Sequence, residues 1–369
     1  MELKLFVIAT FVISAFAGWL AIPNIILISK KKKLFDELSS RKSHKGNVPR
    51  LGGVAFFPSF LFSVSLMLGL RYYYGYEISA VPLQIDAFKE LFFLISGGTL
   101  LFFVGMTDDL TGLSYKMKFA AQIVVAVLLI FCGVGIENLG GLFGLYHIPV
   151  IWGNLLTLMV VVLLVNAYNL IDGIDGLCSG LTLLALGTLG GWFCWSHLYV
   201  YGMIAMGMAG VVSVFFFYNV LGRRMKIFMG DTGSLMLGFL IAYLGLKFYN
   251  LNINTDMFNI QSAPAVLLGI VFVPAFDTCR VFCVRIAKGL SPFYPDRRHI
   301  HHKMLELGLS HFQGTMVIIL LQAGFIALNV LLKNLNINVL FALNIVLGVV
   351  LIGCIDLLAH RFGRKEAKA

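Results

Sequence analysis

Residues 150–165 read VIWGNLLTLMVVVLLV, and residues 166–180 continue NAYNLIDGIDGLCSG. A long run this apolar crosses a bilayer as a helix, because backbone N–H and C=O groups in hydrocarbon must pair within their own segment. The run then ends on Asn169, Asp172 and Asp175, interleaved with Gly173 and Gly176. If the helix continued to Asp175, these three polar side chains would follow one another at i, i+3 steps on one face. Two carboxylates about 6 Å apart repel by about 0.7 kcal/mol in water and by about 3 kcal/mol at an effective dielectric of 20. A divalent cation or cationic ligand between them would offset that repulsion.

The rest of the chain repeats the apolar theme. It has 369 residues, of which 59% are hydrophobic and 12% charged, with a mean hydropathy of +0.90. Such a balance excludes an ordinary soluble domain and predicts an all-α, polytopic integral membrane helix bundle. About eleven spans are expected, near 5–29, 52–70, 91–107, 117–136, 150–168, 179–197, 201–220, 232–249, 264–286, 313–332 and 337–358. The first is too long for a signal-peptide core and reads as a retained span. Residues 1–369 read as one transmembrane catalytic domain, with no internal repeat. The six Cys lie in apolar segments without a CxxC pair, and read as small membrane-core residues rather than disulfides or ligands.

Charge orients the bundle. Of the 28 Lys and Arg, 22 fall in one set of alternate loops and in the C-terminal tail; they include Lys30–Lys33, Lys116, Lys118, Lys226 and Arg285. By the positive-inside rule that set is cytoplasmic, so the N-terminus lies outside, the C-terminus inside, and the span number is odd. On the outer side Glu77, Asp86, Glu90, Glu137 and Asp256 read as isolated, solvated loop residues.

The polar clusters fall on the basic side. Asp108 and Asp109 end the third span in FVGMTDDL, although carboxylates at a helix C-terminus oppose its dipole by a few tenths to about 1 kcal/mol each. Asp231 opens the eighth span in FMGDTGSL, where Asp231 or Thr232 suits a helix cap and the free N–H groups suit a phosphate. Asp277 lies in the ninth span, in VPAFDTCR, and SPFYPDRRHIHHKML follows it with Asp296, His299, His301 and His302. On an extended chain His299 and His301 share a side; on a helix His299 and His302 do. Flanking Arg297, Arg298 and Lys303 favour an anion or proton transfer over a metal at these histidines. The stretch RKSHKGNVPRLGG at 41–53 reads as a basic loop fixed beside the second span by Pro49, Gly52 and Gly53. Carboxylates with room for a divalent cation, ringed by His, Lys and Arg at one membrane face, are the parts of phosphoryl transfer to or from a lipid phosphate.

These motifs, in this order, resemble the polyprenyl-phosphate N-acetylhexosamine-1-phosphate transferases. The resemblance covers most of the chain, and HIHH after SPFYPD looks like the undecaprenyl-phosphate GlcNAc-1-phosphate branch. The phospho-MurNAc-pentapeptide translocase branch typically has a His-His-His run followed by an acid, where this chain has Lys303. The resemblance implies that a UDP-N-acetylhexosamine gives its sugar-1-phosphate to undecaprenyl phosphate, leaving UMP, in a bacterial inner membrane. It implies Mg²⁺ (or Mn²⁺) as cofactor, held by Asp231 and Asp172. Asp108 and Asp109 would lie beside the lipid phosphate and nucleotide, Asn169, Asp172 and Asp175 at the metal site and nucleotide, and Phe228 against uracil. His299, His301 and His302 would hold the diphosphate, Lys45 a phosphate, and Arg280 would line the cleft. Membrane lipid is an expected partner, a homodimer is compatible, and nucleic acid is not expected. The alternatives are translocase-type activity or, in another class, a transporter or flippase. A transporter site would lie near the bilayer midplane within repeats.

Overall fold

The computed structural model describes residues 2–34, 48–76, 87–222, 225–255, 260–292 and 296–366. Among the described residues ten helices are long and apolar enough to cross a membrane: α1 (Glu2–Lys32), α2 (Phe56–Tyr73), α3 (Ala87–Thr111), α4 (Tyr115–Cys132), α5 (Val150–Leu170), α6 (Leu177–Trp195), α7 (Tyr199–Leu221), α8 (Gly230–Asn254), α12 (His311–Leu331) and α13 (Ile337–Glu366). The ninth expected span, near 264–286, is broken. It consists of α9 (Ala263–Ile270) and α10 (Phe272–Ala287), which meet at a bend of 84°. Broken backbone inside a membrane bundle needs partners, and Gln322 of α12 supplies them. Its amide nitrogen donates to the Gly269 and Ile270 carbonyls, both at 2.8 Å, and its oxygen accepts from Val273 N at 2.8 Å. A short helix, α11 (Ile300–Glu306), precedes α12. Outside the spans, a hairpin of β1 (Asn138–Leu142) and β2 (Leu145–His147) joins α4 to α5.

The bundle is built round α8, whose residues from Thr232 to Tyr249 are all buried. A helix this enclosed needs small residues where neighbours cross it. A side chain at Gly238 would overlap the α5 backbone at Leu164 and Val165, and one at Gly105 of α3 would overlap the backbone at Thr232. Both neighbours run antiparallel to α8, with Gly97 of α3 against Phe239 and Gly105 against Thr232. In contrast, α1 runs parallel to α7: Val7 lies by Gly202, Thr10 by Gly207 and Ala15 by Gly210. At the other terminus, Asp356 of α13 pairs with Lys303 of α11.

One expectation fails at the far end. Glu90 is 5% exposed and lies inside α3 rather than in a wetted loop. It pairs with Lys247 of α8 at 2.5 Å and accepts hydrogen bonds from the Tyr201 and Tyr243 hydroxyls at 2.8 and 3.0 Å. A buried carboxylate is tolerated there because every charge is matched. The six Cys are free, as expected.

Candidate active site

The chain between α3 and α4 makes a tight turn, with Ser114 capping α4. Asp108 and Lys118 stand five residues either side of Leu113, so folding the two helices together returns Lys118 to Asp108. Lys118 Nζ donates to Asp108 Oδ2 at 3.1 Å and to Asp231 Oδ2 at 2.9 Å. Asp108 also accepts from Leu113 N at 2.6 Å, closing the turn.

Asp109 does different work. Its carboxylate accepts from the backbone N–H of Asp231 at 2.7 Å and of Thr232 at 2.9 Å, and from the Thr232 hydroxyl at 2.6 Å. It is an N-cap supplied by another helix. The expected cap by Asp231 or Thr232 is absent, since the residue before α8, Met229, makes no side-chain cap bond. The expected phosphate seat on these N–H groups is corrected too, because Asp109 occupies the first of them. The acid pair that opposes its own helix dipole complements that of α8.

Asn169 is the last turn of α5, and its amide donates to Ser234 Oγ of α8 at 2.9 Å. The helix stops at Leu170, so the i, i+3 face expected through Asp175 does not form. Residues 171–176 turn instead, and Gly176 reaches a positive φ of 78° where a side chain would strain the backbone. Asp172 and Asp175 thereby part company. Solvent reaches Asp172, yet protein surrounds its recess; that desolvation, with the charge of Asp231, pushes its pKa up to about 7. Asp175 turns the other way, to Lys226 Nζ at 2.6 Å and His311 Nδ1 at 3.4 Å. Burial opposes its charge, but His311 and Lys226 outweigh burial and hold its pKa below the usual carboxylate range. Asp175 thus anchors α12 and the strand of chain before α8.

That strand carries Phe228, half-buried, with Lys226 Nζ 5.7 Å from its ring centre. The 49–53 loop runs beside it in a short ladder: Phe228 N donates to Pro49 O at 2.8 Å, Gly52 N to Phe228 O at 2.9 Å and Gly53 N to Met229 O at 2.8 Å. The fixed loop expected from Pro49, Gly52 and Gly53 is therefore present, and a side chain at Gly53 would overlap the backbone of Gly233. Lys45 lies outside the described residues.

His299 caps α11 with extended backbone, and His301 and His302 fall in its first turn. The His299 and His301 rings stack parallel, 5.8 Å apart at 4°, while His302 tilts against His301. Burial and the neighbouring histidines push His301 down to about 3, so it is neutral at physiological pH. His302 is lowered by burial, His299 and Arg297. The loop before them is clamped by Arg285, which grips Asp296 through two bonds of 3.1 and 2.9 Å. Arg280 does not line the cleft. Its guanidinium donates to Asp277 Oδ1 at 2.7 Å and to the Arg298 carbonyl at 2.6 Å, holding the histidine loop from behind.

Between these groups lies a cleft of about 750 Å³. Lys118, Asn169, Gly173, Arg285, His299 and His301 line its polar side, and Phe119, Ile123 and Phe282 its apolar side. Lys118 links the cleft to Asp108 and Asp231. Sequence reasoning counted Lys118 only as a loop charge; its symmetry with Asp108 about a tight turn was the available signal. Gly173 was also missed as a packing residue: a side chain there would overlap the His301 imidazole.

The donor set bears on a divalent cation. No three His, Cys, Asp or Glu side chains among the described residues form a ready metal cage. Asp231, Asp108 and Asp172 are all hard oxygen donors, and a cationic group, the Lys118 ammonium, already bridges two of them. That fits Mg²⁺, which keeps waters and takes one or two carboxylates plus substrate phosphates rather than an all-protein cage.

Known proteins share this chain's pattern. Residues 91–249 match the family model described as glycosyl transferase family 4. The undecaprenyl-phosphate alpha-N-acetylglucosaminyl 1-phosphate transferase of Escherichia coli O157:H7 is 31% identical over 308 residues, covering 82% of this chain and 78% of that protein. Its namesake from Salmonella typhi is 33% identical over 304 residues, covering 81% and 76%. A probable undecaprenyl-phosphate N-acetylglucosaminyl 1-phosphate transferase of Bacillus subtilis strain 168 is 31% identical over 321 residues, covering 87% and 82%.

Proposed function

Because this chain belongs to glycosyl transferase family 4, we propose that it moves GlcNAc-1-phosphate from UDP-GlcNAc to undecaprenyl phosphate, releasing UMP. The observation that carries this reading is the gathering of Asp108, Lys118, Asn169, Asp231, His299 and His301, from five separate helices and a loop, at one end of the bundle. That end carries the excess of Lys and Arg, which supports a cytoplasmic site in a bacterial inner membrane, with the N-terminus outside.

The acceptor phosphate is a monoester, and a phosphate monoester is mostly ionised at pH 7. It attacks the sugar-bearing phosphorus in line as the bond to the bridging oxygen breaks, and UMP leaves with that oxygen. A strong base is unnecessary. The task left to the protein is to place two anions together and neutralise them. Lys118, Lys116 and Arg285 bring positive charge to the cleft. Asp231 and Asp172, with Asp108 beside them, would hold Mg²⁺, which supplies Lewis-acid neutralisation of the diphosphate oxygens when bound. Asp109 is spent on the α8 backbone and so is a poor candidate for a covalent nucleophile. The apolar wall of Phe119, Ile123 and Phe282 suits the first isoprene units of a lipid acceptor.

A donor labelled in both the acetyl group and the β-phosphate tests this reading. Both labels should enter the lipid fraction together. Entry of the sugar label alone, with UDP released, would replace phosphosugar transfer by glycosyl transfer.

A further inference from the structure

The transfer mechanism above assigns no task to Asp277, although it is 2% exposed and sits at the histidine loop. Its carboxylate accepts from His299 Nδ1 at 2.8 Å and from the Ile300 backbone N–H at 3.1 and 3.2 Å, and Arg280 donates to it at 2.7 Å. A carboxylate beside an arginine only accepts, so the His299 proton sits on Nδ1. The opposite nitrogen, Nε2, is buried and has no partner among the described residues, while His299 is 4% exposed and lines the cleft. A neutral imidazole held this way would turn a lone pair toward an incoming phosphate, which is a mismatch. An imidazolium would turn an N–H toward it and stand between two anions, which is favourable.

We propose that Asp277 is a positioning residue that fixes the His299 ring and lets it take up a second proton, so that Nε2–H donates to the substrate diphosphate. This rests on the phosphosugar-transfer reading. The groups facing His299 divide. Asp277 from α10 and Asp296 before α11 favour a second proton, while Arg280 and Arg285 from α10, Lys116 and Lys118 from α4 and His302 beside the stacked His301 oppose it until the diphosphate brings its own negative charge. Asp277 is the anion bonded directly to the ring. Among the described residues His301 has no such carboxylate contact, and its Nδ1 is likewise buried without a partner.

Asp277→Asn keeps an acceptor for Nδ1–H and removes the charge. Turnover should fall about 30-fold or more, by analogy with loss of one charge-stabilising donor. The alkaline limb of the pH–rate profile should move to lower pH, since an imidazolium without its carboxylate loses its proton sooner. His299→Gln should cost about 100-fold, and the double variant should cost no more than His299→Gln alone. Unchanged turnover and pH profile in Asp277→Asn, or losses that multiply in the double variant, would overturn the proposal. If Asp277→Asn does not fold, calorimetry of UDP binding decides with the parent and His299→Gln. Parent affinity should fall as pH rises and the variant should be flat; parallel curves would refute the dyad. A parent that binds UDP but never releases UMP from the sugar nucleotide would refute the transfer reading instead, leaving the binding comparison to judge the dyad.

Discussion

Asp109→Asn separates holding the site from doing chemistry in it. Asp109 accepts three hydrogen bonds at the start of α8, two from backbone N–H groups and one from Thr232. Asparagine keeps one oxygen acceptor and sets an N–H₂ against the remaining donors. Charge-assisted hydrogen bonds contribute about 1.5–3 kcal/mol each, and an N-cap typically about 1 kcal/mol. With its oxygen in the place of Oδ2, asparagine keeps both Thr232 bonds without the charge and loses the Asp231 N–H bond, which together should cost about 3 kcal/mol at this half-buried position. For a chain of this size that corresponds to a fall of about 4 °C in apparent melting temperature. Asp231 begins the same turn, so its carboxylate should shift by enough to lower turnover about 100-fold. The assay is paired: thermal unfolding in detergent, and UMP release with Mg²⁺. Asp231→Asn is the control for activity, since it should abolish turnover while leaving in place the three bonds that Asp109 makes to the start of α8. An Asp109→Asn protein as stable as the parent would refute the capping argument, whatever its activity.

Three further outcomes follow from the geometry. Gly173→Ala places a methyl group against His301; it should cost about 1–3 kcal/mol by overpacking and lower turnover more than it raises the donor KM, as steady-state kinetics would reveal. Lys118→Met removes the cation that bridges Asp108 and Asp231, so the metal-free protein should melt lower than the parent and regain more of that loss on adding Mg²⁺. Asp172 has its pKa pushed up to about 7, so protons compete with metal below that value: the Mg²⁺ concentration for half-maximal rate should rise toward tenfold per pH unit as pH falls from 7 to 6, and level off above 8.

The apolar runs and the side preference of Lys and Arg made the bundle legible, because hydrocarbon permits few alternatives to a helix and the charge rule is counted residue by residue. The break between α9 and α10 was not legible. It depends on Gln322, fifty residues away, satisfying the freed backbone. Glu90 was misplaced for a similar reason: its partners Lys247, Tyr201 and Tyr243 come from distant helices, and nothing local marks it as paired. At the site, the motif positions pointed to one end of the bundle, where Asp108, Asp231, Asn169, His299 and His301 lie near Lys118 or the cleft. Direction was harder. Asp109 and Asp175 sit in acidic motifs but face α8 and Lys226, because a motif states which side chains are present and the turn after Leu170 decides where they point.

The central claim is that one cleft at the basic end brings a lipid phosphate and a sugar nucleotide together over a divalent cation. UMP release by the purified protein, with undecaprenyl phosphate and Mg²⁺ each supplied or withheld, tests it most directly. The account predicts release from UDP-GlcNAc only when both are present, and none from the Asp231→Asn protein. Release that ignores the lipid acceptor, or full activity under exhaustive chelation, would contradict it.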